Sequence, residues 1–198
     1  MHPLPLLVVI SGPSGVGKDS VVERMQEMGY PFHFVVTVTD RVPRPDEEDG
    51  RDYHFVSTGE FERMIEADDL LEYARVYGQY KGVPKADVRE ALSSGRDVVM
   101  RLDVQGADTV RKIVPQALTI FLAPPSLDVL VRRLRGRGGD SSAQLRQRLE
   151  TAVTEMRRME TFRYVVVNYE GRLDEAVRQI MAIMEAEKCR VGRQEISL

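Results

Sequence analysis

The chain has 198 residues, with 28 Lys and Arg against 31 Asp and Glu, so its net charge of −3 offers no global basic field for nucleic acid. A hydrophobic share of 42% suits one domain with a real core, and no run approaches a membrane span. The single Cys189 excludes an internal disulfide and a cysteine metal cage, which fits a reducing compartment such as the cytoplasm.

Leu6 to Ile10 is an apolar run interrupted upstream by Pro3 and Pro5 and lacking a basic flank, so it reads as a buried strand rather than a signal peptide. It leads into Ser11-Gly12-Pro13-Ser14-Gly15-Val16-Gly17-Lys18-Asp19-Ser20, and a helix over Val21–Met28 leads out. Strand, glycine-rich turn and helix are the context of a phosphate-binding P-loop. Glycines let backbone N–H groups converge on one anion, the helix start adds partial positive charge, and Lys18 supplies a mobile cation. Asp19 stands where a Ser or Thr hydroxyl usually faces Mg²⁺. A carboxylate is a good Mg²⁺ ligand, so the change does not exclude metal binding, but without a metal between them it would repel the nucleotide phosphates.

Phe32 to Val38 is β-branched and aromatic and reads as a second strand, delivering Thr37 to a polar loop, 41–52, that holds Arg41 and Arg44. Two guanidiniums on a proline-stiffened loop, with Tyr53, can grip one phosphate from two sides. Acids at 46–49 could instead pair them locally. Tyr53–Val56 reads as a strand, Ser57 and Glu60 as a capping box for a helix over Thr58–Ala67, Leu70–Tyr77 as a strand and Gly78–Gly82 as a turn. Pro84 opens a helix that ends near Gly95. In Leu70-Leu71-Glu72-Tyr73-Ala74 one acid interrupts an apolar stretch. Its carboxylate can accept from adjacent N–H groups, as guanine presents them, or simply face solvent.

Asp97–Asp103 is a strand ending in an acid, the Walker-B pattern that orients Mg²⁺. Asp103 can equally cap the following helix, Gln105–Val114. Leu118–Ala123 is an apolar strand, Ser126 caps a helix to about Arg135, residues 136–140 are hinge-like, and a long helix covers Ser142–Met159. Arg132, Arg133, Arg135, Arg137, Arg146 and Arg148 flank that hinge, where a closing lid could bring charge to a transferring phosphoryl, although a solvated helix face accounts for some. Tyr164–Asn168 is a last strand, Asp174–Lys188 a last helix, and the final ten residues read as frayed. Alternating strands and helices imply a parallel sheet covered on both faces. The segment from about 33 to 95 breaks that rhythm as an insertion with its own small sheet.

Taken in order, Ser11 to Lys18, Arg41-Val42-Pro43-Arg44-Pro45, Gly50 to Ser57, Asp103-Val104-Gln105-Gly106, Arg135-Gly136-Arg137-Gly138 and Val166-Val167-Asn168 resemble a guanylate kinase over about residues 6–188. The resemblance implies an α/β P-loop NTPase core with a parallel sheet (1–32, 96–125, 160–188), a GMP-binding subdomain (33–95), a lid region (126–159) and a tail (189–198). It implies transfer of the γ-phosphoryl of ATP to GMP, and to dGMP, with Mg²⁺. By position, Ser11 to Ser20 and Asn168 are expected at ATP. Arg41, Arg44, Tyr53 and Lys81 are expected at the GMP phosphate. Glu72, Thr37 and Asp103 belong on the GMP side, with Glu72 at guanine N1 and N2 and Thr37 at O6. Lys18, Arg137 and Arg148 are the expected catalytic cations, and Asp19 and Asp103 the metal-side acids. Nucleic acid and membrane are not expected partners.

Asp19, Lys81 in place of a tyrosine, Val83 in place of a hydroxyl and Arg101 in place of an acid depart from the family pattern. Together they resemble the plastid-type branch of plants and its bacterial relatives. Two other readings carry similar motifs. One is a ribose 1,5-bisphosphate kinase, which can share Gly-Lys-Asp-Ser. The other is a non-catalytic guanylate-kinase-like interaction module, which would have lost the ATP site.

Overall fold

Among the described residues (4–45, 47–76, 78–136 and 142–198) the computed structural model holds nine strands and seven α-helices. In chain order they are β1 Leu7–Ser11, α1 Lys18–Glu27, β2 His33–Phe34, β3 Val38–Thr39, β4 His54–Phe55, α2 Thr58–Glu66, β5 Leu70–Val76, β6 Gln79–Pro84, α3 Lys85–Ser93, β7 Val98–Arg101, α4 Val104–Ile113, β8 Leu118–Ala123, α5 Leu127–Gly136, α6 Ser142–Met156, β9 Tyr164–Val167 and α7 Leu173–Lys188. A 3₁₀ turn, Arg157–Thr161, extends α6. No helix among the described residues is long and apolar enough to cross a membrane.

The larger sheet is parallel throughout, in the order β2-β7-β1-β8-β9. β1 and β8 are buried at every position because helices cover both of its faces. Val8, Ile10, Ile120 and Leu122 pack with Val21 and Met25 of α1 and Val177 and Ile180 of α7. The alternate residues Leu7, Val9, Val98 and Met100 pack with Val88 and Ala91 of α3 and with Ala107 and Val110 of α4. Ile10 pairs with Arg101 on one side and Ile120 on the other, so the loop after β1 leaves from the carboxyl edge of the central strand. In open α/β sheets that edge is where ligands bind.

The smaller sheet runs β4-β3-β6-β5, with β3 and β6 antiparallel and β5 and β6 a hairpin. It differs from the sequence reading in two ways. Residues 32–38 are not one strand, because His33–Phe34 pairs with β7 in the larger sheet and Val38–Thr39 with β6 in the smaller. Gly82 continues β6 rather than closing a turn. A side chain there would press Leu70 and Phe61 at 3.0 Å, so glycine lets the hairpin lie on α2. The two sheets therefore separate between β2 and β3, and α3 packs on the larger one. Phe61, fully buried and stacked on Tyr80 at 4.9 Å, anchors the small core. Phe61→Ala should cost about 3 kcal/mol. Hydrogen exchange should then quicken at β3 and β6 while β1 and β8 keep their protection.

The tail is docked rather than frayed. Arg193 donates to the carbonyls of Leu4 and Pro5 at 2.7 and 2.8 Å, Arg89 donates to the Leu198 carbonyl at 3.0 Å, and Ile196 and Leu198 pack against the core. Two apolar side chains near the end of the chain make burial favourable where the composition reads as polar.

Candidate active site

The P-loop bridges β1 and α1. Gly12 holds φ 147°, and a Cβ on it would lie 2.3 Å from the Leu122 carbonyl oxygen, so only glycine lets the loop cross β8 this closely. Ser11 is fully buried and its hydroxyl has no partner among the described residues. Pro13, Ser14, Gly15, Val16 and Gly17 form the turn, and Lys18 and Asp19 open α1, with Ser20 exposed on its first turn. Lys18 Nζ folds back to donate to the carbonyls of Gly12 at 2.6 Å and Pro13 at 3.2 Å. Burial pulls the Lys18 pKa down, against the opposing pull of Glu155, Asp19 and Asp103.

Three groups hold this loop that the sequence did not single out for the task. Asn168, expected near adenine, is buried and donates through Nδ2 to the Val16 carbonyl at 2.9 Å. Arg133 donates to the same carbonyl at 3.1 Å and to the Asn168 carbonyl at 2.9 Å. Glu155 of α6 accepts the Ser14 N–H at 3.1 Å, and burial raises its pKa although Lys18 pulls the other way. No spacing in the long helix marks Glu155 for this contact, because the contact joins residues far apart in sequence.

A second cluster forms around Tyr53. Arg41 lies 5.1 Å from its ring, Lys81 Nζ 5.1 Å and Arg101 5.5 Å, and Lys81 reaches the phenol oxygen at 3.5 Å. Arg41 is held by a bidentate pair with Glu47, both contacts 2.7 Å, which keeps the Glu47 carboxyl down to about 2. The local pairing that the acids of the loop allow is thus formed. Glu47 takes the far side of the guanidinium while the ring of Tyr53 takes its face. The Arg44 side chain is 72% exposed, yet its guanidinium is 3.9 Å from Glu47 Oε1, the oxygen that Arg41 meets at 2.7 Å, and its backbone N–H donates to Oε2 at 2.8 Å, so both arginines turn toward Glu47.

Glu72 of β5 is buried, with Oε2 unpartnered, so it does not face solvent. Burial first, then the negative charge of Asp103, pushes its carboxyl up to about 8. Gly106 makes this possible, since a Cβ there would press Glu72 Oε2 at 2.7 Å. Asp103 is the N-cap of α4 and accepts the Gly106 N–H at 2.8 Å. Thr37, also buried, precedes β3. Val83 packs into the core. Arg148 lies on α6, and Arg137 lies outside the described residues.

Asp19 and Asp103 are hard oxygen donors whose charges both act on Lys18. Among the described residues no group of three His, Cys, Asp or Glu could enclose a metal alone. Two such oxygen donors would suit Mg²⁺, with Asp19 and Asp103 as the residues to hold it.

A family profile described as "Guanylate kinase" matches residues 5–187. The chain is similar to "Guanylate kinase 2, chloroplastic/mitochondrial" of Oryza sativa subsp. japonica, 50% identical over 99% of this chain and 69% of that protein. It is similar to "Guanylate kinase" of Latilactobacillus sakei, 46% identical over 95% of this chain and 92% of the relative. The crystal structure of guanylate kinase from Anaplasma phagocytophilum superposes with a TM-score of 0.81 at 29% identity, covering 98% of this chain and 91% of that one.

Proposed function

The chain belongs to the guanylate kinase family, and from that premise we propose how its residues move the γ-phosphoryl of ATP onto GMP. The enzyme converts ATP and GMP to ADP and GDP. The observation that carries the division of labour is Arg101. It is 2.9 Å from Asp19, beside the P-loop lysine, and 5.5 Å from the Tyr53 ring. One arginine side chain thus spans from the donor loop to the second cationic cluster.

The amides of the P-loop take the ATP phosphates, and Lys18 leaves the Gly12 and Pro13 carbonyls to follow them. Arg41, Tyr53 and Lys81 take the GMP phosphate, with Arg44 folding in from solvent. Glu72, ionised on binding, accepts from guanine N1–H and the 2-amino group, and Thr37 meets O6. Arg148 and Arg137 add charge from the lid. Asn168 serves donor binding by fixing the loop rather than by touching the base. Asp19 and Asp103 would hold Mg²⁺, which would supply neutralisation of phosphate charge. No protein base is required, because the attacking oxygen is already an anion. Catalysis is positioning plus charge neutralisation, with water excluded on closure.

None of these contacts reads the ribose, so dGMP serves as well as GMP. A cytoplasmic or stromal location fits the lone exposed Cys189. A ribose 1,5-bisphosphate kinase has no use for a buried, unpartnered Glu72, and an interaction module has none for an intact P-loop. A coupled assay tests the reading. GMP and dGMP should turn over with ATP and Mg²⁺, and AMP should be at least about 100-fold poorer in kcat/KM. Turnover of ribose 1,5-bisphosphate alone, or a folded protein with no ADP formation, overturns it.

A further inference from the structure

Arg101 stands at the carboxyl end of β7, where the register places it beside Ile10, one residue before the P-loop begins. Its side chain is 24% exposed and faces two neighbours of opposite character. On one side Asp19 takes Nη1 at 2.9 Å. On the other lies the ring of Tyr53, already shared with Arg41 and Lys81. Three cations around one phenol repel one another unless anions intervene. Glu47 supplies one for Arg41 and Asp19 one for Arg101, while Lys81 meets the phenol oxygen. An arrangement of this kind is matched to a dianion in its middle, and a phosphate monoester is one.

We propose that Arg101 is a phosphate-binding residue of the acceptor site. It exchanges its ion pair with Asp19 for the phosphate of the nucleoside monophosphate and then lies against the group being transferred. The inference rests on the assignment of the Arg41–Tyr53 cluster to the GMP phosphate. Asp19 is the brake in this exchange. While it holds the guanidinium, the acceptor site is short of one donor. Loss of that pair frees the guanidinium for the acceptor phosphate. A guanidinium suits the exchange because its planar fork keeps one edge on a carboxylate while the other turns to phosphate.

The test is calorimetric titration of GMP in buffer containing EDTA, without ATP, so that binding is read apart from turnover. Asp19→Ser removes the brake and should tighten GMP binding several-fold. Adding Arg101→Met to Asp19→Ser should weaken GMP by about tenfold or more, the value of a charged hydrogen bond, while ATP affinity changes by less than about threefold between the two. Asp19→Ser with Arg101→Lys should recover part of the loss. Equal GMP affinity, within about twofold, in Asp19→Ser with and without Arg101→Met shows that Arg101 only neutralises Asp19, and overturns the proposal. So does an equal loss of ATP affinity. Arg41→Met is the control, because GMP binding unchanged in that variant refutes the acceptor-site assignment itself, whatever Arg101 does. Melting temperatures are read on every variant, and Arg101→Lys keeps the charge should Arg101→Met unfold.

Discussion

Lys18→Met should leave a folded protein whose kcat falls by about a thousandfold or more, roughly 4 kcal/mol of lost transition-state stabilisation. The methionine keeps most of the apolar stem, so packing along α1 is little disturbed. What goes is the charge at Nζ. In the free protein that charge rests on the carbonyls of Gly12 and Pro13, 2.6 and 3.2 Å away, in a site dry enough to pull the Lys18 pKa down. A desolvated cation is worth more to a phosphoryl group than a solvated one, because little water screens the pair. ATP affinity should suffer less than kcat, since the loop amides remain to hold ground-state phosphates. Steady-state kinetics with a melting curve check the outcome. A kcat within tenfold of the unsubstituted enzyme, at unchanged stability, refutes the role given to Lys18.

The second large effect belongs to Glu72, and it has two opposite signs. Glu72→Gln should cut the preference for GMP over AMP by about a hundredfold or more, because a carboxamide offers one acceptor oxygen and a clashing N–H₂ to guanine's two donors. The same change should stabilise the empty protein. The Glu72 carboxyl is pushed up to about 8 from an ordinary 4.5, so between those values the native state keeps a proton that the unfolded chain has lost. Stability attributable to Glu72 therefore falls as pH rises through that window and reaches its low plateau above pH 8. Glu72→Gln removes the penalty. The two proteins should melt alike near pH 4.5 and diverge upward, with the variant about 2–4 kcal/mol ahead above pH 8. GMP binding by the unsubstituted enzyme near pH 7 should release close to one proton, measurable in buffers of different ionisation enthalpy. KM for GMP should fall as pH rises from 6 toward 8. A GMP affinity indifferent to pH over that span counts against the assignment.

How much of this was legible in the residues differs between elements for physical reasons. β1 and β8 are apolar at every position, and burial on both faces is the only environment that rewards such a run. The Ser57–Glu60 capping box carried its own geometry, and Ser57 does accept the Glu60 N–H at 3.2 Å. The spacing of Gly12, Gly17 and Lys18 announced the P-loop, since close backbone approach admits few other residues. Other features depend on contacts between distant parts of the chain. His33–Phe34 joins the larger sheet only because β7 lies beside it, and nothing local separates those residues from Val38–Thr39. Glu47 was one of the acids able to pair the arginines locally, and the loop does fold it under Arg41. Asn168 was placed by resemblance near adenine, and its hydrogen bond to Val16, from the far end of the chain, is what local sequence does not show. The Arg101–Asp19 pair is the clearest case. Each residue read alone is a departure from a pattern, and only their separation of 2.9 Å makes them one unit.

The hydrogen bond from Ser14 to Glu155 has a consequence for how the enzyme rests. An amide aimed at the donor nucleotide already has a carboxylate tenant, supplied by the enzyme's own chain and therefore present at a high effective concentration. On the proposed assignment of this loop to the ATP phosphates, ATP would have to displace that side chain, and measured donor affinity would be the net of an exchange rather than the strength of the cradle. Small free anions such as inorganic phosphate face the same competitor with fewer contacts to offer.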